Sequence, residues 1–235
     1  MPPPTVNGRK SKTFRRQSFK IQHCKRAQRR CALFYVITFI PMTRQLIKRI
    51  KACTLCAEHL PFPPKPVFSF SAKSKILLVG QAPGMKVQQS GKPWTDASGE
   101  RLRDWLGVSE AQFYDTDNFA IVPMGFCYPG KKNKSDAPPR PECAPQWMPP
   151  ILKSLRSKQL TLLIGQYAFR HFLGTNARPT LTESLKEWRS YQPEFLLMPH
   201  PSPRNNIWLR KNPWFEDENL PNIKKKIALA LRNQQ

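Results

Sequence analysis

Two sets of residues in this chain have types and spacings that suit chemistry. In LLMPHPSPRNN an apolar run breaks into His200, Pro201, Ser202, Pro203, Arg204 and Asn205. Imidazole is the side chain whose proton is most readily placed or removed near neutral pH, and two flanking prolines restrict the backbone that carries it. Such a segment holds a donor in one place, with a cation and amides beside it. The second set is CTLC, with Cys53 and Cys56, followed by Cys127 and Cys143 with 15 residues between them. Four thiolates would suit a structural zinc, and buried free thiols are the plain alternative. Disulfides are not expected, because the chain reads as cytoplasmic. Cys24 and Cys31 fit no ligand pattern, and the other histidines, His23, His59 and His171, fall in no comparable segment.

The elements that must position these residues follow from the hydrophobic pattern. KILLVG (Lys75 to Gly80), FAIVPM (Phe119 to Met124), LTLLIG (Leu160 to Gly165) and FLLMP (Phe195 to Pro199) read as strands. SGERLRDWLG reads as a helix capped by Ser98, QYAFRHFLG as another, and NIKKKIALALRNQQ as a closing amphipathic helix. Nearly continuous apolar strands alternating with helices predict an α/β fold. Its expected form is a three-layer α/β/α sandwich around a central, mainly parallel four-stranded sheet. Ligands of such sheets gather at the carboxyl ends of the strands. That rule brings GQAPGMKVQQSGKPW, after the first strand, to the same edge as HPSPRNN, after the fourth. The first loop is no nucleotide fingerprint: GQAPG is not G-x-G-x-x-G, and no G-K-[ST] follows. Pro83 and Gly84 also make an ordinary turn signal.

The chain has 235 residues with 39 Lys and Arg against 15 Asp and Glu, a formal charge of +24. Such an excess favours a polyanionic partner, nucleic acid before an anionic membrane surface. Residues 1–41 hold ten of the basic residues and no acid, so residues 42–235 keep 29 against 15, or +14. The first 41 residues are expected to be a basic arm or a misassigned start, with the folded domain in 42–235. The apolar run from Cys31 to Pro41 is too short for a spanning helix, and no small-residue cleavage site follows it. No membrane partner is expected, and a monomer is.

Taken in order, LLVGQAPG, GKPW, LTLLIGQYA and HPSPRN resemble the uracil-DNA glycosylase superfamily over most of residues 50–235. The first motif is similar to the iron-sulfur bacterial branches (families 4 and 5), and HPSPRN to the single-strand-selective monofunctional enzymes. The resemblance implies a monofunctional DNA glycosylase for base excision repair. Such an enzyme hydrolyses the N-glycosidic bond of a deaminated base, uracil first, after flipping it out of the helix. It implies a [4Fe-4S] cluster on Cys53, Cys56, Cys127 and Cys143, with zinc as the alternative cofactor. It implies that His200 donates to the base oxygen as negative charge collects there, and that Gln81 orients water. Gly80, Ala82, Pro83, Gly84, Trp94, Ser202, Arg204 and Asn205 would bind substrate, with Trp94 stacking on the base and Arg204 on phosphate or in the vacated stack.

Two departures bear on chemistry and specificity. Gln81 and Ala82 stand where many relatives carry a carboxylate or asparagine, and an amide is no general base. Pro123 stands where iron-sulfur relatives read the base edge with an asparagine. Uracil, hypoxanthine, xanthine and oxidised pyrimidines all stay open as substrates. The competing functional expectation is a non-catalytic iron-sulfur DNA-binding module that keeps the fold.

Overall fold

In the computed structural model, which describes residues 42–133 and 135–232, short aliphatic runs build one parallel sheet. The basic arm expected over residues 1–41 lies outside the described residues. Residues 42–51 form helix α1. There follow β1 (Ile76–Val79), α2 (Met85–Ser90), α3 (Ala97–Leu106), α4 (Glu110–Tyr114) and β2 (Phe119–Ile121). A small antiparallel hairpin of β3 (Lys131–Lys132) and β4 (Ser135–Asp136) precedes α5 (Cys143–Ser154) and β5 (Leu160–Ile164). The chain continues through α6 (Gln166–Leu173), α7 (Leu181–Lys186), β6 (Phe195–Met198), α8 (Asn206–Lys211) and α9 (Leu220–Arg232).

The central sheet has the order β2-β1-β5-β6, and all its pairings are parallel. The strands are buried on both faces, which is why they read as continuous apolar runs with no polar alternation. Leu77, Val79, Leu163 and Leu197 face one core, shared with Leu46 and Ile50 of α1 and with Trp147, Met148 and Ile151 of α5. Ile76, Leu78, Leu162 and Leu196 face the other, shared with Leu102, Trp105 and Leu106 of α3 and with Ile223 and Ile227 of α9. The period of two along each strand thus divides its side chains between two helical layers. The expected three-layer fold is the one observed.

Strand order also places the site. The chain leaves β1 for β2 on one side, and β5 then pairs on the other side of β1. The connections after β1 and β5 therefore diverge at the carboxyl edge, where a crevice opens.

Local differences from the sequence reading have identifiable causes. The strands are shorter than their apolar runs, because Gly80, Gly165 and Pro199 leave the ladder and Pro123 has no N–H to give it. Ser98 does not cap α3. Asp96 does, accepting from the Gly99 N–H at 3.1 Å, and Ser98 is buried inside the helix. The β3–β4 hairpin and α5, a helix containing Pro149 and Pro150, carried no signal in the apolar periodicity.

Leu78 of β1 is fully buried at the centre of the sheet. Leu78→Ala is expected to lower stability by about 2–5 kcal/mol, from lost transfer energy and the cavity left behind, as read from the urea midpoint at unchanged slope.

Candidate active site

The HPSPRN segment leaves β6 and folds back on itself through hydrogen bonds. The Ser202 N–H donates to Nδ1 of His200 at 3.2 Å, and the Asn205 amide donates to the His200 carbonyl at 2.7 Å. Ser202 caps the short 3-10 turn Pro203–Asn205, its hydroxyl accepting from the Arg204 N–H at 3.3 Å. From α3, Arg101 reaches the Asn206 side chain at 2.8 Å and the Ser202 carbonyl at 3.4 Å. Because Nδ1 accepts a hydrogen bond, the neutral imidazole carries its proton on Nε2. Burial holds the His200 pKa below the ordinary 6.5, against the opposing pull of the Asp96 and Asp136 carboxylates. His200 is therefore a neutral Nε2–H donor at physiological pH.

Trp94 comes to the same place from the other loop. Its ring centroid lies 5.4 Å from that of His200, the planes inclined at 32°. Its backbone has φ 57°, a left-handed conformation uncommon for a tryptophan. Such a residue costs of order 1–3 kcal/mol unless its surroundings over-determine it. Here they do. The Arg103 guanidinium donates to the Trp94 carbonyl at 3.1 Å, and the Tyr114 hydroxyl lies 2.9 Å from the Pro93 carbonyl and 3.0 Å from that of Trp94. Lys92 ties the loop to α4 through Glu110 at 2.9 Å. Gly99 lets α3 approach, since a Cβ there would stand 1.9 Å from the Trp94 carbonyl oxygen. The indole packs partly on the α3–α9 core and partly lines a cavity.

That cavity, of about 510 Å³, is bordered by both of the loops that the sequence placed at one edge. Gly80, Gln81, Ala82, Pro83 and Gly84 line it from the loop after β1, together with Trp94 and, from the last motif, His200, Ser202, Arg204 and Asn205. Not every expected role fits the geometry equally. The Asn205 amide is engaged with the His200 carbonyl, which makes it a positioning group for the loop. The Gln81 amide donates to the Ala137 carbonyl at 3.4 Å, which leaves its oxygen as an acceptor. Arg204 is exposed at the rim. Gln81, His200 and Asn205 also border a second cavity of about 250 Å³, reaching Gly165 and Gln166 at the start of α6.

Sequence reasoning missed the acids. Asp96 and Asp136 both line the main cavity, and both raise the His200 pKa. Asp96 is a cap-type residue, but Ser98 two positions on is an equally good one and drew the cap assignment. Asp136 lies in a hairpin whose placement no periodicity announces.

The four cysteines expected to be ligands do converge: Cys53, Cys56, Cys127 and Cys143 border one small cavity with Arg140 and Trp147. All four are free thiols. Burial pushes Cys143 up to about 12 and Cys127 up to about 11, and the nearby cysteines add to both. The Phe126 N–H donates to the Cys143 sulfur at 3.4 Å, and the Trp147 indole to that of Cys53 at 3.3 Å. Among the described residues, however, no group of three or more His, Cys, Asp or Glu is arranged to hold a metal ion. The donor set suits a metal in type and in shared location, whereas its present geometry closes on no single ion.

A family model, Uracil DNA glycosylase superfamily, matches residues 68–224, which is well over half of the chain. The chain belongs to the uracil DNA glycosylase superfamily. The matched span contains both loops of the main cavity, with Trp94 and His200, and begins after the first cysteine pair. Membership of the glycosylase superfamily accords with the parallel sheet and with a site at its carboxyl edge. No helix among the described residues is long and apolar enough to cross a membrane.

Gly99→Ala should force the Trp94 loop away from α3. The expected result is a loss of roughly 1–3 kcal/mol in chemical denaturation, as for overpacking at other tight sites. Gly84→Ala serves as the control, because a Cβ there meets only the Asp136 carboxylate oxygen at 3.6 Å.

Proposed function

We propose that this glycosylase-superfamily protein hydrolyses the N-glycosidic bond of a deaminated base in DNA, uracil first, after the nucleotide is extruded into the cavity between Trp94 and His200. The observation that carries the reading is His200 itself, a neutral imidazole fixed as an Nε2–H donor beside an aromatic ring. Breaking the bond between C1′ and the base nitrogen sends the electron pair to the base, whose carbonyl oxygen gains negative charge while the sugar becomes oxocarbenium-like. A fixed donor aimed at the oxygen that gains charge is worth about 3–4 kcal/mol of barrier. A neutral donor suits the task, since it needs no proton transfer and the base leaves as an anion. Water then adds to C1′. Asp96 lines the same cavity with one oxygen held by the Gly99 N–H; we assign its other oxygen to orienting that water and taking its proton, with the Gln81 oxygen as a second acceptor. The proton ends on the departed base. Trp94 supplies the stacking face, Gly80 through Gly84 the backbone wall, and Arg204 at the rim a phosphate contact. The +24 charge supports DNA as the partner.

The iron-sulfur assignment belongs with this reading. Cys53, Cys56, Cys127 and Cys143 would hold a [4Fe-4S] cluster that pins α1 and α5 to the loop after β2 and takes no part in bond cleavage. A cluster would suit these residues better than zinc because the four thiols border one cavity without closing on a single ion. Anaerobically purified protein is expected to be brown with about four irons per chain, as the cluster stoichiometry requires. Stoichiometric zinc in colourless protein overturns the assignment.

Activity is tested by incubating the protein with uracil-, hypoxanthine- and xanthine-bearing oligonucleotides, single- and double-stranded, and scoring abasic sites. His200→Ala should lose about 100-fold or more in rate, in line with loss of an oxyanion donor, while its DNA affinity is unchanged. Equal rates for variant and parent remove His200 from the mechanism. Salt-sensitive DNA binding without abasic sites, from any substrate, favours the non-catalytic module instead.

The pH profile carries a sign. Protonation of His200 puts a second N–H on Nδ1, directed at the Ser202 N–H, so the hydrogen bond that shapes the loop is lost. Because burial lowers the folded-state pKa, that loss begins only below the ordinary 6.5. kcat/KM should therefore stay flat from neutrality down to that point and fall below it. The same group contributes to stability above its unfolded-state pKa and loses that contribution as pH falls through the folded-state value. An acid limb above 6.5 would contradict the assignment.

A further inference from the structure

We infer that Asp136 sets base specificity, by accepting a hydrogen bond from the ring N–H of the extruded base. The inference rests on the glycosylase reading above and names the group that reads the base edge. In a chain with 39 basic residues and 15 acidic ones, a carboxylate on the wall of a DNA-binding cavity is costly, because it repels phosphate. Asp136 lines that cavity from β4. Among the described residues its carboxylate makes no hydrogen bond and no ion pair, although five other ion pairs are formed. It stands at the loop after β1, its Oδ2 being 3.6 Å from where a Cβ on Gly84 would lie. The same cavity contains Pro123, whose side chain offers neither donor nor acceptor. Of the two carboxylates there, Asp96 is already committed to the Gly99 N–H as the α3 cap. Asp136 is the one left to meet a ligand.

An ionised carboxylate accepts and never donates. That property separates a deaminated base from its parent. Cytosine N3 and adenine N1 carry lone pairs, which a carboxylate repels. Deamination gives uracil an N3–H and hypoxanthine an N1–H, which a carboxylate accepts. An acceptor-only wall therefore admits pyrimidine and purine lactams alike and rejects the two normal bases from which they arise. With His200 donating to the base oxygen, the cavity would present one donor and one acceptor to neighbouring atoms of the lactam.

The test pairs a change in the protein with removal of the ring proton from the base. Single-turnover excision is measured for parent, Asp136→Ala and Asp136→Asn on oligonucleotides carrying uracil or 3-methyluracil, in which a methyl group replaces the N3 hydrogen and leaves no proton to donate. If the parent acts only on hypoxanthine, the pair becomes hypoxanthine and 1-methylhypoxanthine. Asp136→Ala is expected to slow excision of the natural lactam by about 10- to 100-fold, the usual loss for a hydrogen bond to a charged group. It should not slow excision of the N-methylated base, and Asp136→Asn, which keeps an acceptor oxygen, should recover part of the loss on the natural lactam. Any effect through His200, loop shape or stability would slow both bases equally, so equal slowing, or none, overturns the inference and leaves the glycosylase reading standing. A parent that produces no abasic site from any of these oligonucleotides overturns both.

Discussion

The hydrogen bond from the Ser202 N–H to His200 Nδ1 is the contact on which the chemistry of this site depends. It fixes which nitrogen carries the proton, and with it whether the ring offers a donor or an acceptor to anything in the cavity. The remaining local structure keeps that bond in place. Asn205 closes the loop onto the His200 carbonyl, and Arg101 anchors the loop to α3. α3 is held in turn by burial of Leu102, Trp105 and Leu106 against the sheet. A 3.2 Å contact is thus supported by an entire layer of the fold.

Trp94 faces the imidazole under a different constraint, a strained backbone held by Arg103, Tyr114 and the bare Cα of Gly99. Helix α3 therefore serves both halves of the site: its first turns receive the Trp94 carbonyl, and Arg101 on the same helix holds the histidine loop. The spacing between ring and imidazole is set by one rigid element rather than by two independent loops. Such preorganisation is what a fixed donor needs if it is to lower a barrier without first rearranging.

Much of this was legible in the sequence, for physical reasons. Strands buried on both faces leave long aliphatic runs, so β1, β2, β5 and β6 and their parallel pairing could be read directly. The rule that crevices open at carboxyl ends then joined two loops more than 100 positions apart. The glycine-rich loop and the His200 segment were joined in this way, whereas Trp94 was singled out only by the resemblance to a known family. Asp136 was not, because a two-residue strand in a hairpin of lysines has no periodic signature. The capping role of Asp96 was hidden by Ser98, an equally good cap residue two positions on, and only the packing of Ser98 into the core decides between them. The cysteines illustrate a different limit. Spacing brought four thiols to one cavity, but ligand geometry depends on side-chain angles that no spacing encodes.

The central claim is a statement about one proton, and nitrogen-15 NMR of the histidine side chains at neutral pH tests it most directly. With His200→Ala used for assignment, the account predicts a neutral His200 with Nε2 protonated and Nδ1 shifted as a hydrogen-bond acceptor. A proton on Nδ1, or an imidazolium at neutral pH, would contradict it.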